Sequence, residues 1–384
     1  MNNREFEKRY YSNRSKYNSV KMKVAKEKNC LAMWIADMDF KPDERIVKAL
    51  NEFISYGDYG YAELPDDYYD VLNNWNEKRH NLTIKKEWVR FSKGAIDGLY
   101  QVIYALTKEK DGIMINTPVY HPFKQTIKQT NRTVIESPLI NNDGYFTFDF
   151  KDIEEKFKKK NVKAIILCSP HNPVGRVYKK GELEELLYLA HKYHVLVISD
   201  EVHNDLIMPD QEFIPTLSFK KYMNEVITFT AVSKTFSFPV FEHCHVIIPS
   251  QKLRDKFDAY QKHEHRSSVN AFNALSTYYG LKYGSEWLDQ VNNIIWENYK
   301  YFTEKLSKYY EISVLEGSYL IFVNIGKHNK DKSAANYLIE KCHIMANAGE
   351  AFGGKKYKNW VRINLATSLA NIKKAVNELE KIAK

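Results

Sequence analysis

The stretch VKAIILCSPHNPVG, residues 162–175, combines a strand and a turn in a way that decides the fold. Its apolar run AIILC is continuous rather than alternating, which is typical of a strand that is buried on both faces of a parallel sheet. Asn172, Pro173 and Gly175 follow this run, and these residue types predict a rigid turn. The stretch therefore predicts an α/β sheet in which a buried strand leads into a polar turn.

Two further apolar runs follow along the chain, VLVISDEVHND at 195–205 and NEVITFTAVSK at 224–234. Between the first two strands, residues 180–194 form the pattern KGELEELLYLAHKYH, whose leucines fall on one face of a helix. Buried strands that alternate with helices indicate a mostly parallel sheet flanked by helices.

Polar residues follow each of these strands. Asn172 comes after the first, Asp200 follows 28 residues later, and Lys234 follows another 34 residues on. Each residue alone indicates no site, because lysine and aspartate usually lie on the protein surface. In a parallel sheet, however, ligands bind at the carboxyl ends of the strands. We therefore expect the three side chains to share one rim of the sheet.

Beyond about residue 285 the pattern changes to helical stretches at 286–308 and 332–342, the short strands YLIFVNI and WVRINLA, and a final helix at 368–384. This pattern predicts a smaller α+β domain. We place the large domain at residues 46–284, and the small domain at residues 1–45 and 285–384.

The composition narrows the class of protein. The chain has 384 residues, of which 44% are hydrophobic, enough for a large core. It contains no run of eighteen apolar residues, and its first twenty residues are charged and polar, so we expect a cytoplasmic protein without a membrane span or a secretory signal. The net charge of +9 comes from lysines that alternate with acids, a pattern that does not favour nucleic-acid binding.

The four cysteines are scattered without zinc-site spacing. We therefore expect free thiols and no metal site.

The residues at the predicted rim have the chemistry needed to hold pyridoxal 5'-phosphate (PLP). A partly desolvated lysine amine such as that of Lys234 is a nucleophile toward an aldehyde, and Asp200 could pair with a protonated ring nitrogen. A helix that begins near Ala95 offers backbone amides to a phosphate. Tyr120, at the end of another strand, could stack on a flat ring.

The chain resembles the fold-type I PLP-dependent enzymes, and within them the aminotransferase-like C–S β-lyases of the MalY/PatB kind. The resemblance covers nearly the whole chain. It rests on the motifs MWIADMDF (33–40), TPVYHPF (117–123), CSPHNPVGRVY (168–178), VISDEVHNDL (197–206), SKTF (233–236) and VRINLA (361–366).

The resemblance implies a role for each site residue. Lys234 would bond the cofactor's aldehyde carbon and later move the Cα proton, and Asp200 would pair with the ring nitrogen. The remaining cofactor contacts would come from Tyr120 by stacking, Asn172 and His203 at the ring oxygen, Ala95, Ile96 and Ser233 at the phosphate, and Tyr61 from a neighbouring subunit of a homodimer. The substrate would be held by Arg362 at its α-carboxylate, with Asn172, Trp34, Ala36 and Asp37 nearby.

Two segments depart from the family pattern. Ser237 replaces an asparagine in SKTFSFPVFEHCH, where bulky or polar residues also stand in place of small ones. Lys93 and Ala95 replace the usual residues before the phosphate-binding helix. The departures affect the expected phosphate contacts and the packing between subunits.

The reaction implied is α,β-elimination from L-cystathionine or another cysteine S-conjugate, which gives a thiol, pyruvate and ammonia. The same residues would serve an aminotransferase, and a regulatory protein-binding role is a further alternative.

Overall fold

The computed structural model describes residues 1–159, 161–267, 269–326 and 333–384. The helices are α1 (Asn3–Tyr10), α2 (Val20–Glu27), α3 (Glu44–Tyr56), α4 (Tyr68–His80), α5 (Ala95–Leu106), α6 (His121–Gln129), α7 (Phe150–Phe157), α8 (Lys180–Tyr193), α9 (Val232–Thr235), α10 (Gln251–His263), α11 (Ala271–Tyr283), α12 (Ser285–Leu306), α13 (Ala334–Cys342), α14 (Glu350–Gly353) and α15 (Leu369–Ala383). The strands are β1 (Leu31–Ala32), β2 (Val89–Ser92), β3 (Gly112–Ile115), β4 (Thr133–Glu136), β5 (Ile140–Asn142), β6 (Tyr145–Thr147), β7 (Val162–Cys168), β8 (Leu196–Asp200), β9 (Val226–Thr230), β10 (Cys244–Ile247), β11 (Glu311–Ile312), β12 (Leu320–Asn324), β13 (Ile344–Met345), β14 (Asn347–Ala348) and β15 (Trp360–Asn364).

The central sheet has the strand order β2-β10-β9-β8-β7-β3-β4. β10 runs antiparallel to both of its neighbours, whereas β9, β8, β7, β3 and β4 pair in parallel. The predicted mostly parallel sheet is therefore confirmed, and β4 and β10 are the strands of this sheet that the sequence patterns did not reveal.

Both faces of the central sheet are buried. In β7, Ile165 and Leu167 belong to the apolar cluster on one face, whereas Ala164 and Ile166 belong to the cluster on the other. This arrangement explains why the sequence of the strand is apolar throughout instead of alternating.

The chain order creates a crevice at the carboxyl edge of this sheet. From β3 the chain moves outward to β4, and it then returns to β7 on the other side of β3. The carboxyl ends of β3 and β7 therefore flank a switch in strand order, which is where ligands bind in open α/β sheets.

The predicted turn after β7 is closed by two hydrogen bonds of 2.8 Å, from the His171 amide to the Arg176 carbonyl and from the Gly175 amide to the His171 carbonyl, and Gly175 has the left-handed φ of 74°. The Arg176 guanidinium is fully buried, and it bonds Glu316 at 2.6 Å and Glu182 at 2.8 Å. These ion pairs fix the turn that bears Asn172 against a segment far along the chain.

A second, antiparallel sheet has the order β11-β12-β15-β14 and carries Arg362 on β15. The N-terminal segment is joined to this half of the molecule, because β1 pairs in parallel with β13. The division at residues 45/46 and 284/285 stays a prediction. The predicted helix 332–342 is observed as α13, and its predicted first residue lies outside the described residues. Among the described helices, none is long and apolar enough to cross a membrane.

Candidate active site

A cavity of about 770 Å³ lies at the carboxyl edge of the central sheet. The lining includes these predicted site residues: Trp34, Ala36, Asp37, Ala95, Ile96, Tyr120, Asn172, Asp200, His203, Ser233, Lys234 and Arg362. They come from widely separated stretches of the sequence, so the fold brings the predicted rim together.

Lys234 lies in α9, the short helix just after β9. Its ammonium donates a hydrogen bond to the Ala36 carbonyl oxygen at 2.9 Å. Burial, and after it the positive charge of Arg362, lower the pKa of Lys234 to about 8, against the opposing effect of Asp37 and Asp200. About a tenth of this amine is therefore neutral at pH 7, far more than for an ordinary lysine, and the neutral form is the one that attacks an aldehyde.

Asp200 ends β8, and its carboxylate accepts a hydrogen bond from the Val202 amide at 3.2 Å. The residue is only 5% exposed, and burial raises the pKa of its carboxyl to about 6. A shift of this size corresponds to about 3 kcal/mol of lost stability for the charged form. A cation placed against Asp200, such as a protonated ring nitrogen, would offset that cost.

Arg362 is a buried cation, 3% exposed, and no carboxylate of the described residues lies within 4 Å of it. It donates to Asn172 Oδ1 at 3.1 Å and to the Trp34 carbonyl at 2.9 Å, while its buried Nε has no partner in the described part of the chain. Burial lowers the pKa of Arg362 to about 10. A guanidinium in this state is suited to bind an anion that enters the cavity.

The other predicted ring contacts flank these groups. Tyr120 stands half-buried directly before α6, after the end of β3. His203 is buried, with Nδ1 at 3.1 Å from Ser318 Oγ, and burial holds the pKa of its imidazole well below the usual value. The histidine is therefore neutral, and it can exchange a hydrogen bond with a ring oxygen without adding charge.

The N-terminus of α5 also lines the cavity. Gly94 precedes the helix and has no side chain to cap it, so the amides of Ala95 and Ile96 remain available to an anion. One turn later, a Cβ on Gly98 would come within 2.8 Å of the Phe229 ring. The glycine thus lets α5 lie close against β9, beside Ser233.

The motif MWIADMDF contributes mainly backbone carbonyls. The Ala36 oxygen accepts from Lys234 and from the Tyr319 hydroxyl, both at 2.9 Å. The Trp34 oxygen accepts from Arg362 and from Asn347 Nδ2, also at 2.9 Å each. The segment therefore fixes the amine and the guanidinium relative to each other.

Asp37, in the same motif, is held by ion pairs with Arg14 at 3.1 Å and Lys21 at 3.4 Å. Lys21 is only 1% exposed and also pairs with Asp39 at 2.8 Å. These buried pairs hold the N-terminal segment in place over the cavity.

The unusual segment after Lys234 has a definite structural role. Ser237, with a left-handed φ of 56°, accepts a hydrogen bond from the Met38 amide at 2.9 Å. The serine thus connects the lysine loop to the MWIADMDF segment. Glu242 and His243 line the cavity, and His243 Nε2 lies 2.8 Å from the buried Tyr68 hydroxyl.

The lining also contains polar residues that the sequence patterns did not single out for the site, among them His121 and Asn347. Asn347 lies directly opposite Arg362 in the β14–β15 pair, but a two-residue strand leaves no detectable periodicity. His121 follows Tyr120 in the motif TPVYHPF, and this position next to the proposed stacking residue could have indicated that it lines the site.

Tyr61 does not line this cavity. It is fully exposed beside a neighbouring cavity that shares Lys93, Asp97, Glu242 and His243 with the first. Its predicted contact with the cofactor of a second subunit stays a prediction.

The cavity has the features that PLP requires. It combines a nucleophilic amine, a buried acid for a ring nitrogen, a flat aromatic ring and a helix N-terminus for a phosphate. The unpartnered Nε of the buried Arg362 remains for the carboxylate of an amino acid. The donor groups present therefore fit the cofactor together with an amino-acid substrate.

Comparisons with known proteins agree with this geometry. Cystathionine β-lyase PatB of Bacillus subtilis is 29% identical over 358 residues, covering 92% of each chain. Cystalysin from Treponema denticola, which contains a PLP cofactor, superposes with a TM-score of 0.91 at 30% identity over 96% of each chain. The PLP-bound C–S lyase from Staphylococcus hominis gives 0.90 at 28% identity over 96% of each chain.

These likenesses confirm the predicted fold-type I architecture. The family model of aminotransferase class I and II matches residues 28–379. The chain belongs to the aminotransferase class I and II family.

Proposed function

We propose that this chain is a PLP-dependent C–S β-lyase that eliminates the thiol from L-cystathionine or another cysteine S-conjugate, giving pyruvate and ammonia. The observation that carries the proposal is the meeting in one cavity of Lys234, Asp200 and Arg362, whose Nε has no hydrogen-bond partner among the described residues. The likeness to PatB and to the C–S lyase of Staphylococcus hominis favours elimination among the reactions such a site can support.

Substrate binding depends on Arg362. Its guanidinium holds the α-carboxylate, and the Trp34 carbonyl and Asn172 keep the guanidinium oriented. This clamp directs the Cα–H bond of the amino acid toward Lys234. Bound PLP supplies the electron sink that makes the Cα proton acidic.

Proton transfer depends on Lys234. Its Nζ, once free of the cofactor, takes the Cα proton and can return it to the departing sulfur. The pKa of about 8 matches this double role, because the amine can be neutral as a base and protonated as an acid near neutral pH. Asp200, kept ionised by a ring cation, holds the charge that the ring needs in order to accept electrons.

The test is release of pyruvate and thiol from L-cystathionine by the PLP-loaded protein without any added keto acid. We expect equal amounts of both products, and loss of nearly all turnover in Lys234→Ala. Lys252→Ala, which alters an exposed lysine on α10, is the matched control and should retain wild-type turnover.

The second candidate is an aminotransferase, which the family assignment favours. The same Lys234 and Arg362 would serve it, with the proton returned to the cofactor instead of a thiol expelled. Amino transfer that requires a keto acid, with no thiol released from L-cystathionine, would establish this alternative and overturn the lyase.

The proposed assembly is a homodimer in the cytoplasm. Residues 54–61 expose Ile54, Tyr56, Tyr59 and Tyr61, and large exposed apolar side chains of this kind typically mark an interface. Tyr61 would then reach the active site of the second subunit from this segment.

A further inference from the structure

A second, smaller cavity of about 270 Å³ adjoins the active site. It lies between α6 and residues 350–354, and His121 lines both cavities. The face of α6 that borders it carries His121, Lys124 and Lys128, which are spaced by three to four residues and therefore share one side of the helix.

The lining of this small cavity concentrates unsatisfied polar atoms. Thr117 Oγ1, His121 Nδ1 and Glu350 Oε2 are all buried without a hydrogen-bond partner among the described residues. Thr117 is only 2% exposed, so solvent cannot satisfy its hydroxyl from outside. Buried polar atoms are rarely left in this state, and their convergence indicates a polar occupant.

Two opposite charges also face this cavity without neutralising each other. Neither Glu350 nor Lys128 is within 4 Å of an oppositely charged group in the described part of the chain, whereas Lys124 is paired with Glu136. A group that carries both an ammonium and a carboxylate would complement the acid and the base together. Burial, and then the charge of Arg362, lower the pKa of His121, so its ring is neutral and can accept a hydrogen bond.

The small cavity lies next to the site that we assign to the α-carboxylate. The Arg362 guanidinium stacks on the Phe352 ring at 5.1 Å, and Phe352 packs edge-on against His121 at 5.8 Å. Both rings line the small cavity. The Phe352 ring and the His121 side chain, which lines both cavities, therefore lie between Arg362 and the small cavity.

We propose that this small cavity is a subsite for the leaving thiol, and that Glu350 and Lys128 select thiols that themselves carry an amino-acid head group. The inference rests on the proposed function. Glu350 binds the distal ammonium, Lys128 binds the distal carboxylate, and Thr117 and His121 supply neutral hydrogen bonds. L-Cystathionine has such a distal group, whereas S-methyl-L-cysteine has none. A comparison of the two amino acids therefore measures the contribution of the subsite alone.

The experiment compares these two amino acids on the wild type, Glu350→Gln and Lys128→Met. We expect KM for L-cystathionine to rise about tenfold in each variant, because one charge-assisted hydrogen bond is lost. KM for S-methyl-L-cysteine should change less than twofold. Glu185→Gln, which alters an exposed carboxylate on α8, is the matched control and should change neither value.

Calorimetric titration of both amino acids into the cofactor-free chain gives a second readout that needs no turnover. A weaker affinity of Glu350→Gln for L-cystathionine alone would support the subsite even if the wild type eliminated neither amino acid, a result that would overturn only the proposed reaction. Equal changes for the two amino acids, or none for either, would overturn the subsite and leave the reaction standing, with water as the occupant of the cavity.

Discussion

At the residue scale, the site depends on three ionisable groups, Lys234, Asp200 and Arg362, whose pKa values are shifted mainly by burial. The positive charge of Arg362 helps to lower the pKa of Lys234, while burial raises the pKa of Asp200. The cavity therefore holds a reactive amine and an acid whose charged form would be stabilised by a cationic partner. Such displaced pKa values are typical of functional sites.

The pKa of Lys234 predicts how PLP capture by the cofactor-free protein depends on pH. Only the neutral amine attacks the aldehyde, so the rate should rise about tenfold between pH 7 and pH 9 and level off above a midpoint near 8. An ordinary lysine would continue to gain rate beyond pH 9. Arg362→Ala removes a charge that lowers this pKa, so its midpoint should move upward. Stopped-flow absorbance gives both profiles, and an unchanged midpoint in the variant would contradict the coupling.

Arg362 should also decide substrate affinity. Arg362→Ala loses charge-assisted hydrogen bonds worth roughly 1.5–3 kcal/mol each, so KM for L-cystathionine should rise more than tenfold. The effect on kcat should be smaller, because the carboxylate keeps its charge throughout the reaction. Arg362→Lys keeps the positive charge but lacks the planar guanidinium, so its KM should lie between those of the wild type and Arg362→Ala. Steady-state kinetics would reject this role if the alanine variant kept the wild-type KM.

At the element scale, the position of the reactive lysine depends on how the short helix α9 is held. Thr235, the residue after Lys234, donates to Asp205 Oδ2 at 2.8 Å. The other oxygen of Asp205 is bonded to Trp75 Nε1 at 3.0 Å and to His80 Nε2 at 2.8 Å. The carboxylate thus joins α9 to α4.

Thr235→Val removes this hydroxyl while it keeps the shape of the side chain. We expect kcat to fall several-fold with little change in KM, and the free energy of unfolding to fall by about 1 kcal/mol. Thr133→Val on the exposed end of β4 is the control. Kinetics and chemical denaturation measure the two effects. A variant with wild-type kcat would show that α9 is held without Asp205.

The strand ends were predictable from sequence because each of them combines a local apolar run with a polar residue. The amino-acid sequence alone therefore sufficed to place Asn172, Asp200 and Lys234 on one rim. Ala36 and Trp34 act through their backbone carbonyls, which any residue type would supply. Their place in the site could therefore be predicted only from the MWIADMDF motif. Asn347 is brought into the site because β14 pairs with β15, and such long-range pairing leaves no local pattern in the sequence.

At the scale of the whole molecule, the active site depends on segments from both ends of the chain. The N-terminal segment supplies Trp34 and Ala36, helix α9 directly after the central strand β9 supplies Lys234, and β15 supplies Arg362. The sequence could not show that buried ion pairs such as Arg176–Glu316 would join distant parts of the chain.

The proposed dimer predicts complementation between two inactive variants. If Tyr61 serves the site of the other subunit, mixing Tyr61→Ala with Lys234→Ala should restore about a quarter of the activity, because half of randomly exchanged C2 dimers carry one intact site. Light scattering should show twice the mass of one chain. A mixture that stays inactive, although subunits exchange, would place Tyr61 in the active site of its own subunit.

The central claim is that Lys234, at the rim of the sheet, bonds the cofactor. The most direct measurement is reduction of the PLP-loaded protein with borohydride, followed by peptide mass spectrometry to locate the phosphopyridoxyl group. We expect a single label on Lys234, and none on Lys93, the other lysine of the cavity lining. A stoichiometric label on any other lysine, or no label on Lys234, would show that Lys234 does not hold the cofactor.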